Sequence, residues 1–175
     1  MLATPLLASA QADQTCEPFS ETGQEICGVF LIYWENNGGL PVFGLPLTPE
    51  FEELSADTLT THEVQYYERE RFEYHPENEG TPYVILLGRL GVNMLAANGV
   101  DWMSLPKADP DDDHYMSATG QAIAPEFWEY WSSHGLDFGD EGVSFRESLA
   151  LFGYPVTPPG IETNPDGHTV LTQWF

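Results

Sequence analysis

Thr22-Gly23-Gln24-x-Ile26-x-x-x-Phe30-x-x-Tyr33-Trp34-x-x-x-Gly38 recurs as Thr119-Gly120-Gln121-x-Ile123-x-x-x-Phe127-x-x-Tyr130-Trp131-x-x-x-Gly135, each position displaced by 97. A second stretch, Phe43-Gly44-Leu45-Pro46-Leu47-Thr48-Pro49, returns as Phe152-Gly153-Tyr154-Pro155-Val156-Thr157-Pro158, now displaced by 109. The second copy therefore carries twelve extra residues, and they fall within 136–148. Gln65-Tyr66-Tyr67 comes back as Gln173-Trp174-Phe175. Self-similarity at long period points to units that each form a small fold and pack on one another. The expected organisation is unit one over 13–106, an acidic linker over 107–118 and unit two over 119–175. The first copy runs on into Glu68-Arg69-Glu70-Arg71-Phe72-Glu73-Tyr74-His75-Pro76, so unit two is expected to be incomplete, either truncated or part of a longer protein.

Within each unit the aromatics stand at helical spacing: Phe30, Tyr33 and Trp34, then Phe127, Tyr130 and Trp131. Such i, i+3, i+4 spacing predicts a helix that buries one aromatic face. Thr22-x-x-Glu25 has the letters of a capping box, but Pro125 in the second copy would then sit inside the helix. Proline belongs at the first helical position, where its missing N–H costs nothing, so the helices are expected over 28–37 and 125–134. Ile26 and Ile123 precede them, and Gly38-Gly39 ends the first. Val64 to His75 is rich in β-formers and reads as a strand, or as a hairpin with its turn near 68–71. Thr81-Pro82 reads as a cap and first position opening a helix through Val84 to Leu90, which Gly91 stops. The fold class expected is α+β, a tandem repeat of a short aromatic helix and a small antiparallel β-hairpin or meander.

Acidic residues outnumber basic ones 28 to 5 in 175 residues, a formal charge of −23. Affinity for phosphate backbones comes from Lys and Arg, so nucleic acid and anionic membrane surfaces are excluded as partners. The hydrophobic share of 42% is that of a globular chain. Residues 1–12 end in Ala-x-Ala patterns and read as the tail of a secretory signal peptide. No later stretch reaches the roughly 18 apolar residues that a spanning helix needs, so membrane insertion is not expected. In an exported chain Cys16 and Cys27, eleven residues apart, are expected to form a disulfide.

The combination of Phe43-Gly44-Leu45-Pro46, Phe152-Gly153-Tyr154-Pro155 and Gln65-Tyr66-Tyr67-Glu68-Arg69-Glu70-Arg71-Phe72-Glu73-Tyr74-His75-Pro76 resembles the Leu-Gly-Phe-Pro (LGFP-type) repeats of bacterial envelope proteins. Neither copy reads Leu-Gly-Phe-Pro literally. The resemblance implies an extracellular or cell-surface, cell-wall associated module without catalytic activity, often joined to hydrolases.

Candidate binding residues follow from what stands out chemically. Arg69, Arg71, Glu73 and His75 would share one face of a continuous strand and could hold a sugar or carboxylate; alternatively the arginines pair with Glu50, Glu52 or Glu53. The repeated helix aromatics are expected to be core, whereas Trp102, Tyr115 and Trp128 lie off that pattern and are candidates for exposed contacts with a glycan. Asp109-Pro110-Asp111-Asp112-Asp113 has the rhythm of a calcium loop, but His114 and Gly120 replace the glycine and glutamate that an EF-hand requires. No nucleophile elbow, zinc-protease helix, phosphate-cradling loop or Cys/His ligand cluster is present in the sequence, so no catalytic residue, metal or cofactor is assigned. The expected function is binding of envelope or environmental polysaccharide, peptidoglycan included, or spacing of an attached domain. The alternative is a fragment of a secreted hydrolase whose repeats frame the active site.

Overall fold

The computed structural model describes residues 15–55 and 58–175. The leader-like segment 1–12 lies outside the described residues. The chain begins with a hairpin, β1 (Cys16–Phe19) and β2 (Gln24–Cys27), whose register sets Cys16 opposite Cys27. The disulfide between them is present. Helix α1 (Gly28–Asn36) follows at once and buries Phe30, Leu31 and Tyr33. Gly38, at a φ of 102° that β-carbon-bearing residues rarely adopt, turns the chain into the short helix α2 (Gly39–Phe43).

A four-stranded antiparallel meander comes next: β3 (Phe51–Leu54), β4 (Thr61–Tyr66), β5 (Arg71–Tyr74) and β6 (Ile85–Leu87). The 64–75 segment is therefore a hairpin, closed where the Tyr67 amide donates to the Glu70 carbonyl. The helix expected from Thr81 to Leu90 does not form. Ile85 to Leu87 pair with Tyr74 to Phe72 as the edge strand, because a short apolar run can satisfy its backbone against an open sheet edge as well as within a helix. Thr81 caps a turn instead, donating its hydroxyl to the Asn78 carbonyl and accepting from the Tyr83 amide. Helix α3 (Leu90–Ala97) begins later and contains Gly91 in its first turn.

The second half opens with a two-residue hairpin, β7 (Tyr115–Met116) and β8 (Gln121–Ala122), followed by α4 (Pro125–Ser133) with proline at its start. β7 falls inside the stretch read as linker. Next comes α5 (Phe145–Phe152), for which no helix was expected. Ser144 and Glu147 form a capping box at its start, and Glu147 is buried at 1% exposure. Backbone N–H groups of Ser144 and Phe138 and the Ser144 hydroxyl hold its carboxylate below the usual range. The chain ends in the hairpin β9 (Gly160–Thr163) and β10 (Thr169–Thr172). Short helices and small antiparallel sheets together make an α+β fold.

Several hydrogen bonds occur in matching pairs. Trp34 Nε1 donates to the Gly44 carbonyl, and Trp131 Nε1 to that of Gly153, each at 3.2 Å. Gln65, fully buried, donates from Nε2 to the carbonyls of Glu25 (2.8 Å) and Thr48 (3.0 Å), while Gln173 donates to those of Ala122 (2.8 Å) and Thr157 (3.0 Å). One apolar cluster joins Ile26, Phe30, Tyr33, Phe43, Tyr67, Phe72 and Ile85 with Leu136 and Leu151 from the second half. A smaller one forms around Met116, Ile123 and Trp131.

Replacing Gln65 with leucine removes the donor from two carbonyls and the acceptor from the Tyr67 hydroxyl. The expected loss is about 2–3 kcal/mol of unfolding free energy, measured by urea denaturation. An unchanged midpoint would show that water replaces these bonds at no cost.

Candidate functional site

Alternation along the hairpin sorts its side chains onto two faces. Phe72 faces the core, whereas Arg71, Glu73 and His75 share the outer face with Tyr66 and His62 of β4 and Glu53 of β3, as the registers Tyr66↔Arg71 and Glu53↔His62 require. Arg71 Nη1 donates to Glu53 Oε2 at 3.0 Å, and Nη2 donates to Glu73. Tyr66 reinforces Glu53, donating its hydroxyl to the carboxylate at 3.1 Å, and its ring lies beneath the Arg71 guanidinium. With a side chain only 10% exposed, Arg71 is a tie between strands and presents little charge to a ligand. This corresponds to the pairing alternative, with Glu53 as the partner.

The same face continues to the imidazoles. Extending the β4–β5 register sets His62 opposite His75, and their ring centroids lie 4.2 Å apart. His75 Nδ1 donates to Glu77 Oε1 at 2.8 Å, and its Nε2 lies 3.4 Å from Glu73 Oε2. This hydrogen bond from His75, first among its causes, lowers the Glu77 pKa.

Arg69 parts from these residues. It sits in the 67–70 turn, outside any continuous strand, and donates from Nη1 to the Leu40 carbonyl at 3.0 Å. There it lines a cleft of about 700 Å³ between the hairpin turn, the start of α3, and helices α4 and α5. Trp102, Phe127, Tyr130 and Tyr154 supply aromatic surface to this cleft, and Arg89 a second guanidinium. Among the described residues Glu70 is the one carboxylate side chain lining it. Burial raises the Glu70 pKa to about 8, so the group is largely protonated near neutrality. The Tyr33 hydroxyl is buried with no hydrogen-bond partner among the described residues; burial first, then the Glu70 charge, raises its pKa.

The expected aromatic contacts divide. Trp102 lines the cleft, with Lys107 Nζ over its ring at 5.5 Å. Trp128 stacks on His114 at 3.7 Å and lies 5.6 Å from Trp131, so the face that His114 covers is closed to a sugar. His114 reaches it from a left-handed backbone conformation, φ 60°, which the sequence did not signal. Tyr115 is half-buried in β7, away from the cleft lining. Tyr130, expected in the core, is 61% exposed and stacks on His134; α4 points Trp131 inward and turns this neighbour out. Within the Asp109–Asp113 run two carboxylates serve their own turn, Asp109 accepting from the Asp111 amide and Asp112 from the Asp109 amide.

No protein-family model, curated protein or solved structure matches the chain.

Glu70 makes the fold pH-sensitive in a defined window. Its folded pKa of about 8 exceeds the ordinary value of 4.5, so the native state holds this proton more tightly than the unfolded chain. The stability linked to Glu70 is fully present below about pH 4.5 and declines as pH rises towards 8. Glu70→Gln should therefore melt above the parent at pH 8 and with it at pH 4, by calorimetry at both values. Equal melting at pH 8 would contradict a buried, reluctantly ionised carboxyl.

Proposed function

We propose that the chain is an exported, non-catalytic module, built by duplication of one unit, and that its aromatic cleft holds a segment of polysaccharide. The observation that carries this reading is the cleft lining: flat rings at Trp102, Phe127, Tyr130 and Tyr154, beside Arg69 and Arg89. Rings of this kind stack on the C–H faces of sugars, and guanidinium N–H groups donate to hydroxyls. A chain of charge −23 repels polyanions, which favours a neutral or amine-bearing glycan. The motif resemblance to envelope repeats supports a cell-wall polysaccharide or peptidoglycan in particular, and the disulfide suits an oxidising compartment. Duplication is supported by the matched tryptophan and glutamine bonds, which recur at the sequence offsets of the repeated motifs.

The hydrolase alternative rests on Glu70, since a carboxyl that keeps its proton at neutral pH is what a general acid needs. Glycoside cleavage ordinarily takes a second carboxylate side chain within about 10 Å across the sugar, and among the described residues the cleft lining offers no other side chain of that kind. The non-catalytic reading is therefore preferred.

Affinity electrophoresis and sedimentation with insoluble peptidoglycan and cellulose test it. Trp102→Ala and Tyr130→Ala should each weaken retention about tenfold, and Trp128→Ala should leave it near the parent's. Retention on no glycan would leave only a spacer, and turnover of a glycan that Glu70→Gln abolishes would sink the non-catalytic claim.

A further inference from the structure

We infer that His62, Glu73 and His75 form a binding site for a divalent transition metal of the zinc class. Each offers one ligand atom, and the three atoms lie within 4.8 Å of one another. They come from adjacent strands: His62 from β4, Glu73 from β5 and His75 one residue beyond β5. Two imidazoles and a carboxylate are a donor set that zinc and its neighbours accept, whereas calcium and magnesium ask for oxygen alone. This site is separate from the aromatic cleft and stands or falls independently of it.

The spacing argues for an ion more than for a hydrogen bond. His75 Nε2 and Glu73 Oε2 are 3.4 Å apart, long for a charge-assisted bond. Two ligands about 2.05 Å from a tetrahedral zinc are separated by about 3.3 Å. The tautomer agrees: Glu77 accepts from Nδ1, so that nitrogen carries the proton and Nε2 can turn its lone pair towards Glu73.

The surroundings are those of a supported ligand set. Glu77 orients His75, the Thr60 hydroxyl lies 2.7 Å from His62 Nε2, and Arg71 holds the Glu73 oxygen that faces away from His75. Glu53 and Tyr66 fix Arg71 in turn. Such outer partners fix ligand orientation and strengthen binding. The side chains of His75 and Glu73 are 9% and 12% exposed, which shields the ion from competing water. Glu53 and Glu73 pair with the guanidinium of Arg71, and Glu77 lies against His75. Three protein ligands leave a fourth position for water or for an oxygen of a bound molecule.

The test uses the chelator-stripped chain of 175 residues, titrated with Zn²⁺ and Co²⁺ in excess Ca²⁺ to mask the acidic surface. One equivalent of Zn²⁺ should remain after gel filtration, Co²⁺ should give the absorption of a low-coordinate site, and Zn²⁺ should raise the melting temperature. His62→Ala and Glu73→Gln should each lower Zn²⁺ affinity at least about tenfold, and His168→Ala should change nothing. His62 is the most exposed of the three ligands, so its alanine variant, checked by circular dichroism, decides the matter should Glu73→Gln unfold. Binding of less than one equivalent by the parent, or unchanged affinity in His62→Ala, would overturn the proposal and leave an imidazolium held between Glu73 and Glu77.

Discussion

The constraint on which most of the architecture rests is the side-chain amide of a buried glutamine. Gln65 stands where three segments meet: the edge of the first hairpin through the Glu25 carbonyl, the Pro-rich turn after α2 through that of Thr48, and the 67–70 turn through the Tyr67 hydroxyl. None of those carbonyls belongs to a regular ladder partner of Gln65, so an apolar side chain could fill the space but leave them without donors. Gln173 performs the corresponding task for Ala122 and Thr157, and also accepts from the Ala124 amide just before α4. A glutamine with two donors and an acceptor can satisfy three polar groups on segments that sheet pairing does not join. The aromatic helices pack on frames that these amides hold together.

Much of this was readable from letters alone, for reasons that can be named. Pro125 fixed the start of α4, and through the repeated motif that of α1, because a ring without an N–H has few places in a helix. The cysteine pair needed only the export argument, and the hairpin register sets the two opposite each other. Of the candidate site, Arg71, Glu73 and His75 do fall on one face, and Trp102 does reach the cleft. Their being together was a matter of period two; what they bind is not.

Other features were hidden by tertiary choice. Ile85 to Leu87 had the composition of either element, and only the open edge of β5 decided between them. Arg69 and Arg71 differ by two positions, yet the turn between β4 and β5 sends one to the cleft and the other to the sheet face. Trp128 is covered because His114 adopts a left-handed backbone, a conformation that no spacing rule selects. Some signals were present and unread: Ser144-x-x-Glu147 ahead of an apolar run is the signature of a capping box and marks α5. Equal letters also conceal unequal reasons. Gly38 is needed for its positive φ, whereas Gly135 is needed for close packing, since a β-carbon there would lie 2.7 Å from the carbonyl carbon of Glu147.

The twelve residues by which the second copy exceeds the first bear on how the two halves depend on each other. Leu136 and Leu151 enter the apolar cluster of the first half, Phe138 meets the ring of Tyr83 edge-on, and the Asp137 amide donates to Asn37 Oδ1 at 2.9 Å. The insertion and the end of α5 together thus act as a strap from one half into the core of the other. A chain severed between the halves would leave the first with two holes and a buried amide oxygen, that of Asn37, without its donor, so the halves should melt together in a single cooperative transition. Similar halves need not be independent ones: the strap makes the first half a client of the second.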